Sequence, residues 1–355
     1  MPLTSSFIFT LCQRGAEPAL KAEFARIAPD YRPAFQRPGL VTFKLPQPAA
    51  PELALSSVFA RAYGLSLGSV TDVASVAAAI ADLPKPLCLH VVEPDRYRPD
   101  EEPPGVELGA HAREVEAELR AALPEAFTPS PIATAKQLVL TVMSSPGEPL
   151  TLGVHRHARG RCPYPGGRFP IVVPSESPSR AYAKIEEAIV TFGLPVRAGD
   201  VALEIGAAPG GATYALLQRG VTVNGVDPAD MEPSVMAFEG PQRARLTHHA
   251  VPVAALTREM LPAHVDWLLL DVHLAPQVAL RSARRMASWY RKSLLGAVLT
   301  LKLNDWSFAD QVDSFLQQAQ EMGLQEPRAK QFVSHRQELA VVGLTSRGQK
   351  RGRKG

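Results

Sequence analysis

Strands alternating with helices over the second half of the chain limit its fold more than any other feature. Val201–Ile205 reads as a strand, Gly206-Ala-Ala-Pro-Gly-Gly211 as a turn, Ala212–Arg219 as a helix, and Thr222–Val226 as a strand that ends at Asp227. Further strand patterns stand at Trp267–Leu270, Ala297–Leu303 and Leu339–Leu344. Helix patterns stand at about Ser179–Phe192, Gln277–Lys292 and Phe308–Met322. This alternation predicts an α/β domain whose mostly parallel sheet is covered on both faces. In such a sheet the carboxyl ends of the strands face the ligand crevice. That matters for Lys302, near the end of Ala297-Val-Leu-Thr-Leu-Lys-Leu-Asn304. A lone alternating strand would put Val298, Thr300, Lys302 and Asn304 on a wet face. A covered sheet moves Lys302 to the crevice instead.

The first half reads as small α+β units. Strand Ser6–Cys12, helix Ala16–Ile27, strands near Tyr31–Arg37 and Leu40–Leu45, breaks at Pro46, Pro48 and Pro51, and helix Glu52–Tyr63 suggest a ferredoxin-like unit over residues 1–66. A second unit, residues 67–160, would hold helix Val70–Leu83, strand Leu87–Val92, helix Leu108–Leu123 and strands Gln137–Met143 and Leu150–His155, with an exposed loop from Glu93 to Gly105. Residues 161–176 read as a basic linker. The stretch His155–Pro170 carries Arg156, Arg159, Arg161 and Arg168 with Tyr164 and Phe169 interleaved, a mixture that suits RNA backbone and unstacked bases. His155-x-His157 has no third ligand nearby, so no metal is expected. Residues 346–355 read as a flexible basic tail. Its five cations turn a chain of −2 into one of +3, and such a tail suits phosphate without sequence preference.

Composition excludes other classes. No run of 18 apolar residues appears, so no membrane span is expected. The N-terminus MPLTSSFIFTLCQRG lacks a basic leader and a signal-type cleavage site, which predicts a cytoplasmic protein. Cys12, Cys88 and Cys162 are scattered and odd in number, consistent with a reducing compartment.

Asp227 follows Gly206 by 21 residues, at the end of the next strand, where a carboxylate grips ribose hydroxyls. A dinucleotide would want G-x-G-x-x-G to cradle its pyrophosphate. Here Pro209 occupies the turn, and S-adenosyl-L-methionine, with a ribose and no phosphate, fits better. The candidate cofactor residues are Gly206, Ala207, Ala208, Pro209, Gly210, Gly211 and Asp227, with Asp271 near the methionine end.

Ser179-Arg-Ala-Tyr-Ala-Lys184, Gly206–Gly211, Leu270-Asp271-Val-His-Leu-Ala-Pro276, Leu301-Lys302-Leu303 and Ser334-His-Arg-Gln-Glu338 occur in that order. From about Ser177 to Leu344 the chain thus resembles the FtsJ-type family of S-adenosylmethionine-dependent RNA ribose 2′-O-methyltransferases, with a Rossmann-like catalytic fold. The resemblance implies a catalytic tetrad of Lys184, Asp271, Lys302 and Glu338. Over the whole chain it is most similar to the RlmM subgroup, which precedes its catalytic domain with ferredoxin-like and THUMP RNA-binding units. That likeness implies a cytidine ribose of large-subunit (23S) ribosomal RNA, free or in a ribosomal precursor, as substrate, and no DNA partner.

The chemistry agrees with these roles. A ribose hydroxyl must lose its proton as the new C–O bond forms. Two lysines converging in a desolvated pocket are expected to lower each other's pKa, making Lys302 a general base or alkoxide stabiliser with Lys184 its electrostatic partner. Asp271 and Glu338 would orient the ammonium groups. Three departures from the family pattern stand out. Leu246-Thr-His-His-Ala250 lacks the acidic adenine contact, leaving His249 or backbone groups. Ala181 replaces a serine, and Asn304-Asp-Trp-Ser-Phe308 lacks basic residues. The alternatives are a NAD-dependent dehydrogenase, which leaves the tetrad positions unexplained, a small-molecule methyltransferase, which leaves the first 160 residues without a purpose, and an RNA-binding protein with a vestigial cofactor pocket.

Overall fold

The computed structural model describes residues 3–95 and 109–353, and its contacts divide the chain into Met1–Pro170 and Ile171–Gly355. The first unit runs β1 (Ser5–Leu11), α1 (Glu17–Ile27), β2 (Arg32–Arg37), β3 (Leu40–Ala49), β4 (Ala62–Val70), α2 (Val73–Ala79), β5 (Cys88–Val92), α3 (Ala110–Ala122), β6 (Leu138–Met143) and β7 (Leu150–Arg156). All seven strands form one sheet, in the order β2-β3-β1-β4-β7-β6-β5.

The division expected at residue 66 is therefore corrected. β4 crosses that boundary, and its Leu65 pairs with Ile8 on one side and Val154 on the other. The helix expected at Glu52–Tyr63 is absent. Buried Glu23 accepts from the Val58 N–H at 2.6 Å and from the Ser57 hydroxyl, and the Tyr63 hydroxyl accepts from the Leu55 N–H at 2.9 Å. Side chains thus satisfy the backbone that a helix would have satisfied internally. β3 continues through Pro46 and Pro48, because its pairing with β2 ends at Lys44 and its pairing with β1 shifts register between Lys44 and Ala49, where the missing N–H groups fall. Most of the loop expected from Glu93 to Gly105, and the first residue of the helix expected at Leu108, lie outside the described residues.

The arginine-rich stretch is no free linker up to Pro170. Arg156 pairs with Glu52 at 2.6 Å, while Arg161 donates to the Tyr63 carbonyl and lies 3.9 Å from the Tyr63 ring centroid. Arg159 is exposed.

The second unit runs α4 (Ala181–Phe192), β8 (Val201–Ile205), α5 (Gly211–Gln218), β9 (Thr222–Val226), α6 (Pro233–Ala237), β10 (Leu246–His249), β11 (Trp267–Asp271), α7 (Pro276–Trp289), β12 (Gly296–Lys302), α8 (Val312–Glu321), β13 (Gln325–Lys330), β14 (Glu338–Leu344) and α9 (Ser346–Gly352). The sheet order is β10-β9-β8-β11-β12-β14-β13. The first five strands are parallel, and β14 runs antiparallel to both neighbours. This is a Rossmann-like α/β sheet.

Every residue of β12 is buried. Ala202, Trp267, Val298, Ala340 and Val342 pack on one face with Ile185 and Ala188 of α4 and with Tyr214 to Leu217 of α5. α7 lies against β11 and β12, and α8 against β13 and β14. Leu299 and Leu301, at 0% exposure, alternate with Val298 and Thr300, and each contributes about 1.5–3 kcal/mol by burial. The tail is corrected too. The Thr345 hydroxyl caps α9 by accepting from the Gly348 N–H, and Arg351 pairs with Asp200 at 2.7 Å. A cap and a buried carboxylate hold residues that composition alone would leave in solvent.

Candidate active site

β11 and β12 end side by side, and β14 begins beside the end of β12. The register sets Lys302 directly opposite Glu338, and Asp271 opposite Thr300. Lys184 reaches in from the first turns of α4. Lys184 Nζ lies 2.9 Å from Asp271 Oδ2 and 2.6 Å from Glu338 Oε1. Lys302 Nζ lies 2.7 Å from Asp271 Oδ1 and pairs with Glu338 Oε2. The four residues named by the resemblance therefore close a ring in which charges alternate. Side-chain exposure falls from 22% at Asp271 to 10% at Lys302 and 6% at Glu338, so Asp271 is the most open member and Glu338 the most enclosed.

This alternation overturns the expectation that Lys302 is depressed. Burial pushes the Lys302 ammonium down, but Asp271 and Glu338 outweigh burial and hold it above its ordinary value of 10.5. Neither lysine faces the other without a carboxylate between. Burial alone would raise the Glu338 carboxyl, yet His335, Lys184 and Lys302 together hold it at about 2. With Lys302 favoured as an ammonium and Glu338 as a carboxylate, each lysine of the ring lies between two acidic side chains.

The glycine turn abuts this ring. Gly206 has φ +82°, and a Cβ there would stand 2.2 Å from the Asp271 carbonyl oxygen. A Cβ on Gly211 would stand 2.2 Å from Ser179 Oγ. These two glycines let the turn pack against β11 and the entry to α4, which brings Asp271 and Lys184 beside it. Asp227 sits at the turn's far side. Its carboxylate accepts from the Ala208 N–H at 3.2 Å and the Ala229 N–H at 2.9 Å. His248 Nε2 lies 2.9 Å from the Asp227 carbonyl, and His249 Nε2 3.5 Å from Asn224 Oδ1. The turn Gly206–Gly211 thus adjoins Asp271 at Gly206 and Asp227 at Ala208.

Two further groups line the pocket with Lys184 and Asp271, and neither was singled out from the sequence: Glu204 and His335. Glu204 is buried in β8 and accepts from the Thr213 hydroxyl at 2.6 Å. Burial pushes its carboxyl up to about 8, Asp271 and Asp227 adding to the rise and the Thr213 hydrogen bond opposing it. A carboxylate inside the otherwise apolar run Val201–Ile205 was the available signal. His335 Nδ1 accepts from the Phe332 N–H at 3.1 Å, and burial lowers the ring to about 3. It is a neutral ring with its proton on Nε2, and it lies within the Ser334-His-Arg-Gln-Glu338 motif, three residues before Glu338.

Residues 178–323 match the model of the FtsJ-like methyltransferase family. Over its greater length the chain is similar to Ribosomal RNA large subunit methyltransferase M of Xanthomonas campestris pv. campestris (strain B100), 28% identical over 96% of this chain and 99% of that one. It is 30% identical to the protein of the same name from Edwardsiella ictaluri (strain 93-146), over 47% of this chain and 45% of that one. It is 32% identical to that of Pseudomonas putida (strain W619), over 56% and 54%. The matched region thus spans about half the length of the latter two relatives. No helix among the described residues is long and apolar enough to cross a membrane.

Proposed function

We propose that the protein transfers the methyl group of S-adenosylmethionine to a ribose 2′-hydroxyl of RNA, on a cytidine of large-subunit (23S) ribosomal RNA. The observation that carries this reading is the closed ring of Lys184, Asp271, Lys302 and Glu338 at the strand ends, beside a turn bordered by Asp227. The relatives' names supply the substrate class.

The residues present fit the cofactor. Asp227 offers a carboxylate to ribose hydroxyls, and Glu204 adds a buried carboxyl rather than a cation. That set favours an uncharged ribose and disfavours pyrophosphate. S-adenosylmethionine supplies an electrophilic methyl group; the chain supplies the rest. Lys302, held as an ammonium, donates a hydrogen bond to the 2′-oxygen and stabilises negative charge there. Lys184 and Glu338 keep that ammonium in place. Asp271, the most open carboxylate, receives the hydroxyl proton. The oxygen becomes strongly acidic as the C–O bond forms, so a carboxylate is an adequate base at that stage. Fixing the hydroxyl at one position supplies much of the remaining rate.

Lys302→Ala is expected to abolish methyl transfer while cofactor affinity, read by calorimetry, stays within about threefold. Undiminished turnover would sink the assignment. Mapping ribose methylation in RNA from cells with and without the gene identifies the target, and an unchanged map would remove the ribosomal reading.

A further inference from the structure

The antiparallel half of the first sheet is covered on one face, and its other face is open at one end only, since Phe9 and Leu11, on the same side as Phe7, are buried with Leu40, Val92 and Met143. On the covered face Ile8 and Phe43 are paired neighbours at 0% exposure, and Phe43 stacks on Phe24 of α1 with ring centroids 4.3 Å apart. On the opposite face the register runs in rows. Phe7 pairs with Lys44, which pairs with Arg32; Phe9 pairs with Thr42, which pairs with Phe35. Paired residues project to the same side, as do residues two apart in a strand. Phe7 and Phe35 therefore share a face, and they are 40% and 54% exposed although both are large and apolar. They line a groove whose floor includes Thr42, Ser66 and Ser69.

Phe35 stands on the edge strand β2 and Phe7 two strands further in, and both rings stay exposed along the one groove. A protein partner would want a contiguous apolar patch. Here the two rings stand two strand spacings and one row apart, on the order of 12 Å at ordinary sheet spacings. Hydroxyls lie among them, and Lys44 and Arg32 are exposed in the Phe7 row. Glu148 at the border is held by Arg37. Separate aromatic platforms with hydroxyls between and cations alongside match unpaired bases on a phosphate backbone.

We propose that this open sheet face binds single-stranded RNA, with Phe7 and Phe35 each stacking one base and Lys44 beside the backbone. The proposal rests on the RNA reading above and places a specific contact surface on it.

The test uses full-length protein and fluorescently labelled RNA, an unstructured pyrimidine 20-mer and a duplex of equal length, in anisotropy titrations. Phe7→Ser and Phe35→Ser are each expected to weaken single-strand binding by about tenfold, within the range for loss of one stacked base. Phe35→Trp keeps the affinity and its fluorescence is quenched on binding, while Phe35→Leu, apolar without a ring, behaves like Phe35→Ser. Lys44→Gln lowers the salt slope by about 0.7, one phosphate contact. Thermal melting checks that each variant is folded. Folded serine variants that bind the 20-mer as tightly as the parent overturn the proposal, as does a change in sedimentation with no change in RNA affinity, which would make the face a protein interface. If the parent protein binds neither RNA, the RNA reading itself fails rather than this surface alone.

Discussion

Glu338→Gln separates the two chemical roles open to Lys302, because it changes charge with little change in shape. In the parent ring Lys302 meets two carboxylates, Asp271 and Glu338, and lies above its ordinary 10.5. A raised lysine contributes stability below its unfolded value and loses it as pH rises through the folded value, so the contribution holds across neutral pH. Removing the Glu338 charge takes away one favourable pair, about 4 kcal/mol for charges ~4 Å apart at an effective dielectric constant of ~20. That is a fall of about three pKa units. Burial, which opposes the ammonium, remains. Lys302 in the variant then titrates at its ordinary value or below. If it acts as an ammonium, parent activity is flat from about pH 7 to 9.5, and the variant begins to decline at lower pH than the parent, approaching tenfold per pH unit once pH passes its lowered Lys302 value. The assay is transfer of radiolabelled methyl to RNA under saturating cofactor, with buffers matched in ionic strength. If Lys302 acts as a free base, the variant holds more of the active form at neutral pH. Its rate then rises between pH 7 and 9 and matches or exceeds the parent there. That result would refute the ammonium role and the proton path to Asp271.

Glu204→Gln is expected to stabilise the fold. A carboxyl raised from 4.5 to about 8 costs stability progressively as pH climbs between those values, because the unfolded chain ionises first. The gain in melting temperature should therefore be small at pH 5 and reach several degrees at pH 8; a gain independent of pH would exclude ionisation as its cause. Arg351→Ala removes an ion-pair partner from Asp200, whose side chain is 7% exposed and whose other oxygen accepts from Trp267 Nε1 at 2.8 Å. A loss of about 1–3 kcal/mol in denaturant unfolding is expected. A variant of unchanged stability would restore the view of residues 346–355 as a loose tail.

What could be read from the sequence follows from which elements obey a period. β8, β9, β11, β12 and β14 are buried on both sides and apolar, so each announced itself within a residue or two. β10 (Leu-Thr-His-His) and β13 (Gln-Glu-Pro-Arg-Ala-Lys) sit at the sheet edges, half in solvent, and carry no alternation to detect. The merging of the two N-terminal units was hidden for another reason. β4 contains Gly64 and Gly68 and few large apolar residues. Gly64 is required because a Cβ there would meet the Val154 carbonyl at 2.7 Å and Phe9 at 2.9 Å, a constraint set by strands about 55 and 90 residues away. The site shows the same division. Lys184, Asp271, Lys302 and Glu338 were identifiable as residue types in order, but their sequence distances carry no angle. Two lysines brought together bare would depress one another; the register that sets Lys302 against Glu338 and the reach of Lys184 to Asp271 interleave a carboxylate on each side. The sign of the pKa shift, and with it the choice between base and ammonium, depends on that interleaving, which only the paired strand ends define.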